Sequence, residues 1–113
     1  MKIRFYTNPE TAHMLTKKSK KNGFYFRTLS RTDNVEMVPC EVTEQGYQYM
    51  VNNTIKIGYK NDVIDENLAD VLIVHKIKMI CDEDMNYIIS INDYLRLQEV
   101  APAAMDDFYV INE

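Results

Sequence analysis

Apolar positions along this chain fall into short runs, and the densest lies between Leu68 and Ile91. Val71-Leu72-Ile73-Val74 and Ile77 precede a break at Cys81-Asp82-Glu83-Asp84, and Tyr87-Ile88-Ile89 follows it. β-branched runs on both sides of an acidic turn predict a hairpin of central strands. Four consecutive apolar residues do not define a period, so helix competes with strand over 69–76.

The rest of the chain reads as elements packed around that hairpin. Alternation over 1–7 puts Ile3 and Phe5 on one face of a strand and Lys2, Arg4 and Tyr6 on the other. Asn8-Pro9-Glu10 then predicts a helix start, with a capping side chain, a proline at the first position and an acid at the positive end of the dipole. This helix should run to about Lys21 and leave through Asn22-Gly23, with Ala12, Met14 and Leu15 as its apolar stripe. A strand over 24–30 alternates Phe24 and Phe26 with Tyr25 and Arg27. Strand, helix and strand predict a βαβ-like unit, with its two strands either adjacent or separated by a later one.

Further along, Thr32-Asp33-Asn34 should turn, and 35–42 should form a strand whose Pro39 belongs at an edge or bulge. Strands over 47–51 and 54–60 flank Asn52-Asn53 as a hairpin, which would set Tyr49 opposite Lys56 and Tyr47 over Gly58. Met50, Ile55 and Ile57 would then face inward. The stretch 61–69 reads as acidic and irregular, with a helical turn over 65–69. Ser90-Ile-Asn-Asp93 resembles a capping box, so 92–100 should be helical, and 108–111 a closing strand. The expectation is therefore a single α+β domain over 1–113: a mostly antiparallel sheet of short strands, an N-terminal βαβ-like unit and two helices.

Composition narrows the function classes. At 113 residues, with 46% hydrophobic and 27% charged positions, the chain suits one soluble domain. The apolar run after Met1 is too short for a signal peptide, and no window reaches the length of a membrane span, so a cytoplasmic location without a membrane partner is expected. Cys40 and Cys81 form no CxxC and are expected as buried free thiols. His13 and His75 supply no short ligand pair with them for zinc. Asp82-Glu83-Asp84 lacks the spacing and glycine of a calcium loop. No glycine-rich phosphate cradle or nucleophile motif is present. No cofactor or metal is expected.

Charge layout changes the picture most. Residues 1–31 carry eight bases and one acid, a balance of +7, while 32–113 carry −11. One expectation joins Lys2, Arg4, Tyr6, Tyr25 and Arg27 on the sheet to Lys17, Lys18, Lys20 and Lys21 at the helix end as a binding surface. The leading expectation is a non-enzymatic interaction protein that engages a protein partner through charged surfaces. Abundant Ile, Asn, Lys and Tyr suit AT-rich coding, which suggests a phage or mobile-element product that inhibits a host protein. A second expectation is a binder of single-stranded nucleic acid, its aromatics stacking on bases and its cations neutralising phosphates. An acidic surface at Asp82, Glu83 and Asp84, with Asp62, Asp65, Glu66, Asp70, Asp106 and Asp107, is the opposite pole. A small enzyme whose groups meet only in the fold is the third reading.

Overall fold

A computed structural model describes residues 1–32, 35–61 and 63–111. It is α+β, with two antiparallel sheets, and it divides into two compact units, Met1–Tyr49 and Met50–Glu113. Among the described residues there are seven strands and four α-helices, two helices more than the apolar pattern predicted. The turn expected at 32–34 falls on Asp33 and Asn34, and part of the acidic surface on Asp62, outside the described residues.

The first unit holds β1 (Lys2–Thr7), α1 (Pro9–Asn22), β2 (Phe26–Thr28), β3 (Val38–Thr43) and most of α2 (Glu44–Asn52). Both β1 and β2 run antiparallel to β3, in the order β1-β3-β2. The βαβ-like unit thus has a later strand inserted between its two strands, the second of the two predicted arrangements. Helix α1 begins as its sequence implies: Asn8 Oδ1 accepts the Thr11 N–H at 2.8 Å. It ends where Gly23, at φ 73°, turns left-handed and donates its N–H to Ser19 C=O at 2.9 Å. Ala12, Val38 and Cys40 are wholly buried together, and Phe5 and Phe26 pack against them, so α1 covers this face of the sheet.

Pro39 lies in the middle strand of this sheet, not at an edge. The placement works because β2 stops at Thr28, level with Cys40. The Leu29 N–H reaches back to Pro39 C=O at 2.8 Å. Carbonyl and nitrogen of one strand residue point to the same side, so the missing N–H faces the side on which β2 has already ended.

Residues 44–52 are helical, which removes the hairpin expected at 47–60. Thr43 Oγ1 accepts the Gly46 N–H at 3.4 Å, and Gly46 lies so close to Val42 and Phe24 that a Cβ would collide with both. Tyr49 lies in α2 and stacks on Phe24, with centroids 4.7 Å apart, so the strand register expected for it does not form. The alternation over 47–51 fits helix and strand alike; the threonine cap and the close approach at Gly46 decide for helix.

The second unit holds β4 (Thr54–Tyr59), α3 (Glu66–Val74), β5 (Met79–Cys81), β6 (Tyr87–Ser90), α4 (Ile91–Val100), a 3-10 helix (Pro102–Asp107) and β7 (Phe108–Val110). Its antiparallel sheet has the order β5-β6-β4-β7. Ile55, Ile57, Ile89, Ile91, Tyr94, Leu97 and Phe108 are buried, together with Met50. Each fully buried side chain of this size contributes about 1.5–3 kcal/mol. Gly58 is covered by the ring of Tyr109, its partner across β7, and not by Tyr47.

The predicted central hairpin is half correct. Its second strand and turn form, but its first strand is only Met79–Cys81, and 66–74 are helical. Asp65 Oδ1 caps α3 by accepting the Leu68 N–H at 2.8 Å, and Glu66 stands at the positive end of the dipole. This local chemistry outweighs the β-branched run. Ile73 and Val74 are 74% and 73% exposed, so the run forms no core strand. Helix α4 begins as read, with Ser90 Oγ accepting the Asp93 N–H at 3.0 Å.

Candidate binding surface

The first sheet has one face under α1 and one face open. Lys2, Arg4 and Tyr6 alternate outward on β1, and Arg27 does so on β2. Arg4 and Arg27 both lie opposite Glu41 of β3, one from each side. Glu41 therefore sits at the centre of the basic face. Its carboxylate accepts the Tyr25 hydroxyl at 2.9 Å and Arg4 Nε at 3.3 Å, and Lys2 Nζ lies 3.5 Å away. Lys2 also stands over the Tyr25 ring at 4.7 Å from its centroid. The Tyr25 hydroxyl, helped by Arg4 and Lys2, holds the Glu41 carboxyl below the usual carboxylate range, against the opposing effect of desolvation.

This arrangement leaves an anchored patch. Lys2 and Arg4 are tied at one end to Glu41, yet their side chains remain 55% and 74% exposed. Tyr6 is 66% exposed at the end of the same strand face, where it pairs with Pro39. Lys17, Lys18, Lys20 and Lys21 belong to α1, which covers the sheet's other face, so the fold sets them in a different layer from the sheet cations.

No family model matches this chain, and neither a curated protein nor a solved structure does.

The acidic turn has a structural task at its first residue. Asp82 Oδ1 accepts the N–H groups of Asp84 and Asn86, each at 2.9 Å, and Oδ2 lies 3.3 Å from Lys56 Nζ. The Asn86 N–H, with Lys56 and Asp84, lowers the Asp82 pKa below the ordinary carboxylate value. Glu83 and Asp84 are exposed. No group of three His, Cys, Asp or Glu among the described residues is arranged to hold a metal ion. Cys40 is buried, whereas Cys81 is exposed, which corrects the expectation of two buried thiols. His13 is exposed on α1, and His75 caps the C-terminus of α3. Among the described residues no helix is long and apolar enough to cross a membrane.

Sequence reasoning found the outward cations and tyrosines of the sheet but missed Glu41, the group that organises them. A signal existed: Glu41 alternates with Cys40 and Val42 in a strand, so it must point to the face opposite Cys40. What sequence could not supply was the pairing of β3 between β1 and β2.

Proposed function

We propose that this protein is a non-enzymatic binding protein and that the open face of its N-terminal sheet receives an acidic patch of a protein partner. The observation that carries this reading is Arg4, held by Glu41 yet largely exposed, on the same strand face as the exposed Tyr6. Arg and Tyr are favoured contact residues, and side chains already held in place lose less entropy on binding. Glu41 also favours a protein over nucleic acid as the occupant. It takes up charge from Lys2 and Arg4 in the middle of the face, where a phosphate backbone would need free cations. The α1 lysines, in another layer, do not extend the sheet face into a continuous phosphate track. The finer reading, an inhibitor of a host protein, rests on composition.

The test is affinity capture from a host lysate treated with nuclease, followed by binding measurements with the purified partner. Arg4→Ala with Tyr6→Ala should weaken binding at least tenfold, as loss of two interface anchors does. Changing Lys17, Lys18, Lys20 and Lys21 together to Ala should leave it within about twofold, as expected for charges outside the contact. A salt-dependent affinity for single-stranded oligonucleotides that is lost with the four lysines would replace this reading with the nucleic-acid one.

A further inference from the structure

The second sheet ends in an edge strand whose open side is self-complementary. Asp82 N–H donates to Asn86 C=O at 2.7 Å, and Ile80 pairs with Ile88 two residues further along the same ladder. In an antiparallel pair the bonding direction alternates, so the N–H and C=O of Ile80 point at β6. Those of Met79 and Cys81 point away from the sheet, along its free edge. Ile80 is 54% exposed and Cys81 is exposed, so the strand is uncovered. It carries no proline and no bulge, two of the devices that blunt an edge.

We infer that β5 pairs with β5 of a second copy of this chain, antiparallel about a two-fold axis through Ile80. In that register Met79 and Cys81 exchange backbone hydrogen bonds with Cys81 and Met79 of the second copy. Ile80 meets Ile80 in a non-hydrogen-bonded pair, where side chains stand closest. Lys78 of each copy comes opposite Asp82 of the other, whose carboxylate also pairs with Lys56 of its own chain, and the relation is reciprocal, as a two-fold interface requires. Lys76 and Lys78 precede the strand and Asp82, Glu83 and Asp84 follow it, so the two-fold brings the basic end of one copy to the acidic end of the other.

The other three edges lack this property. β1 carries Lys2 and Arg4 without an acid, β2 is centred on Arg27, and β7 follows Asp106 and Asp107. Antiparallel self-pairing of β2 would set Arg27 against itself, while β1 offers only bases and β7 follows only acids, so neither brings opposite charges together. The pairing involves the second unit alone, whatever the first sheet receives. Three residues make a short contact, so the dimer is weak and concentration dependent.

Cross-linking tests the register directly. Ile80→Cys in a Cys81→Ser background places two thiols opposite each other at a Cα separation of about 4.5 Å, inside the disulfide range. Mild oxidation of this variant in its folded state should give a disulfide-linked dimer on non-reducing gels. The Cys81→Ser parent and a Val63→Cys variant of it, 77% exposed elsewhere, should stay monomeric. Sedimentation of the unmodified chain should show a monomer–dimer equilibrium. Lys78→Glu, which opposes two acids at each end, should weaken that equilibrium by about tenfold. Cys81→Pro, which removes an outward N–H, should abolish it, with far-UV circular dichroism checking that the fold is kept. Equal cross-linking at Val63, no cross-linking at Ile80, or a dimer indifferent to Lys78→Glu would overturn the inference.

Discussion

Exposing the native protein to a thiol reagent such as Ellman's should distinguish its two cysteines by rate. Cys40 is wholly buried beside Ala12 and Val38, and its Sγ–H donates to Val38 C=O at 3.4 Å. Burial pushes its pKa up to about 11 from an ordinary 9.0. Only the thiolate reacts, and its share at about pH 8 falls from roughly one in ten to one in a thousand, about a hundredfold. Burial adds a second barrier, because the reagent reaches Cys40 only when the first unit opens. Cys81 is exposed on β5 and faces no such obstacle. One thiol per chain should therefore react quickly, and the second should follow at least about a hundred times more slowly. Denaturant should make both fast, Cys81→Ser should remove the fast phase, and Cys40→Ser the slow one. Two equally fast thiols in the folded protein would refute the placement of Cys40 under α1.

Other substitutions probe other links. Leu97→Ala empties a wholly buried position of α4 and should cost about 2–5 kcal/mol in urea unfolding. Asn8→Ala and Ser90→Ala each remove a capping acceptor and should each cost about 1 kcal/mol in the same assay. Glu41 has a depressed folded pKa, so its contribution is present above the unfolded value and fades as pH falls through the folded one. Tyr25→Phe should therefore lower stability at neutral pH, raise the Glu41 pKa seen by carboxyl carbon NMR, and lose its effect in acid below both values. Gly58→Val should displace the Tyr109 ring, read as a changed tyrosine fluorescence or ring NMR shift.

Elements marked by local capping chemistry were the legible ones. Asn8, Gly23 and Ser90 each act within four residues, and sequence displays such distances directly. The start of α3 belongs with them, since the helical turn expected over 65–69 begins where Asp65 caps Leu68. The β-branched run that follows left helix and strand both open over 69–76, because β-branching states a preference for half-buried pleats and not a location. Helix α2 was hidden for another reason. Its start depends on Gly46 meeting Val42 and Phe24, and the second of these comes from a distant part of the chain.

The basic surface illustrates the limit most clearly. Counting charge along the chain assigns Glu41 to the acidic remainder, yet the strand order inserts it between Lys2, Arg4 and Arg27. The same count merges Lys17 to Lys21 with the sheet cations, although α1 lies over the sheet's opposite face. Linear segregation of charge therefore overstates the polarity of the folded surface. What survives is narrower: Arg4 and Tyr25 both bonded to the neutralised Glu41 carboxylate, a geometry set by hydrogen bonds at 2.9 and 3.3 Å and not by net charge. A partner for such a patch is selected by contact geometry, and raising the salt should change its association rate more than its dissociation rate.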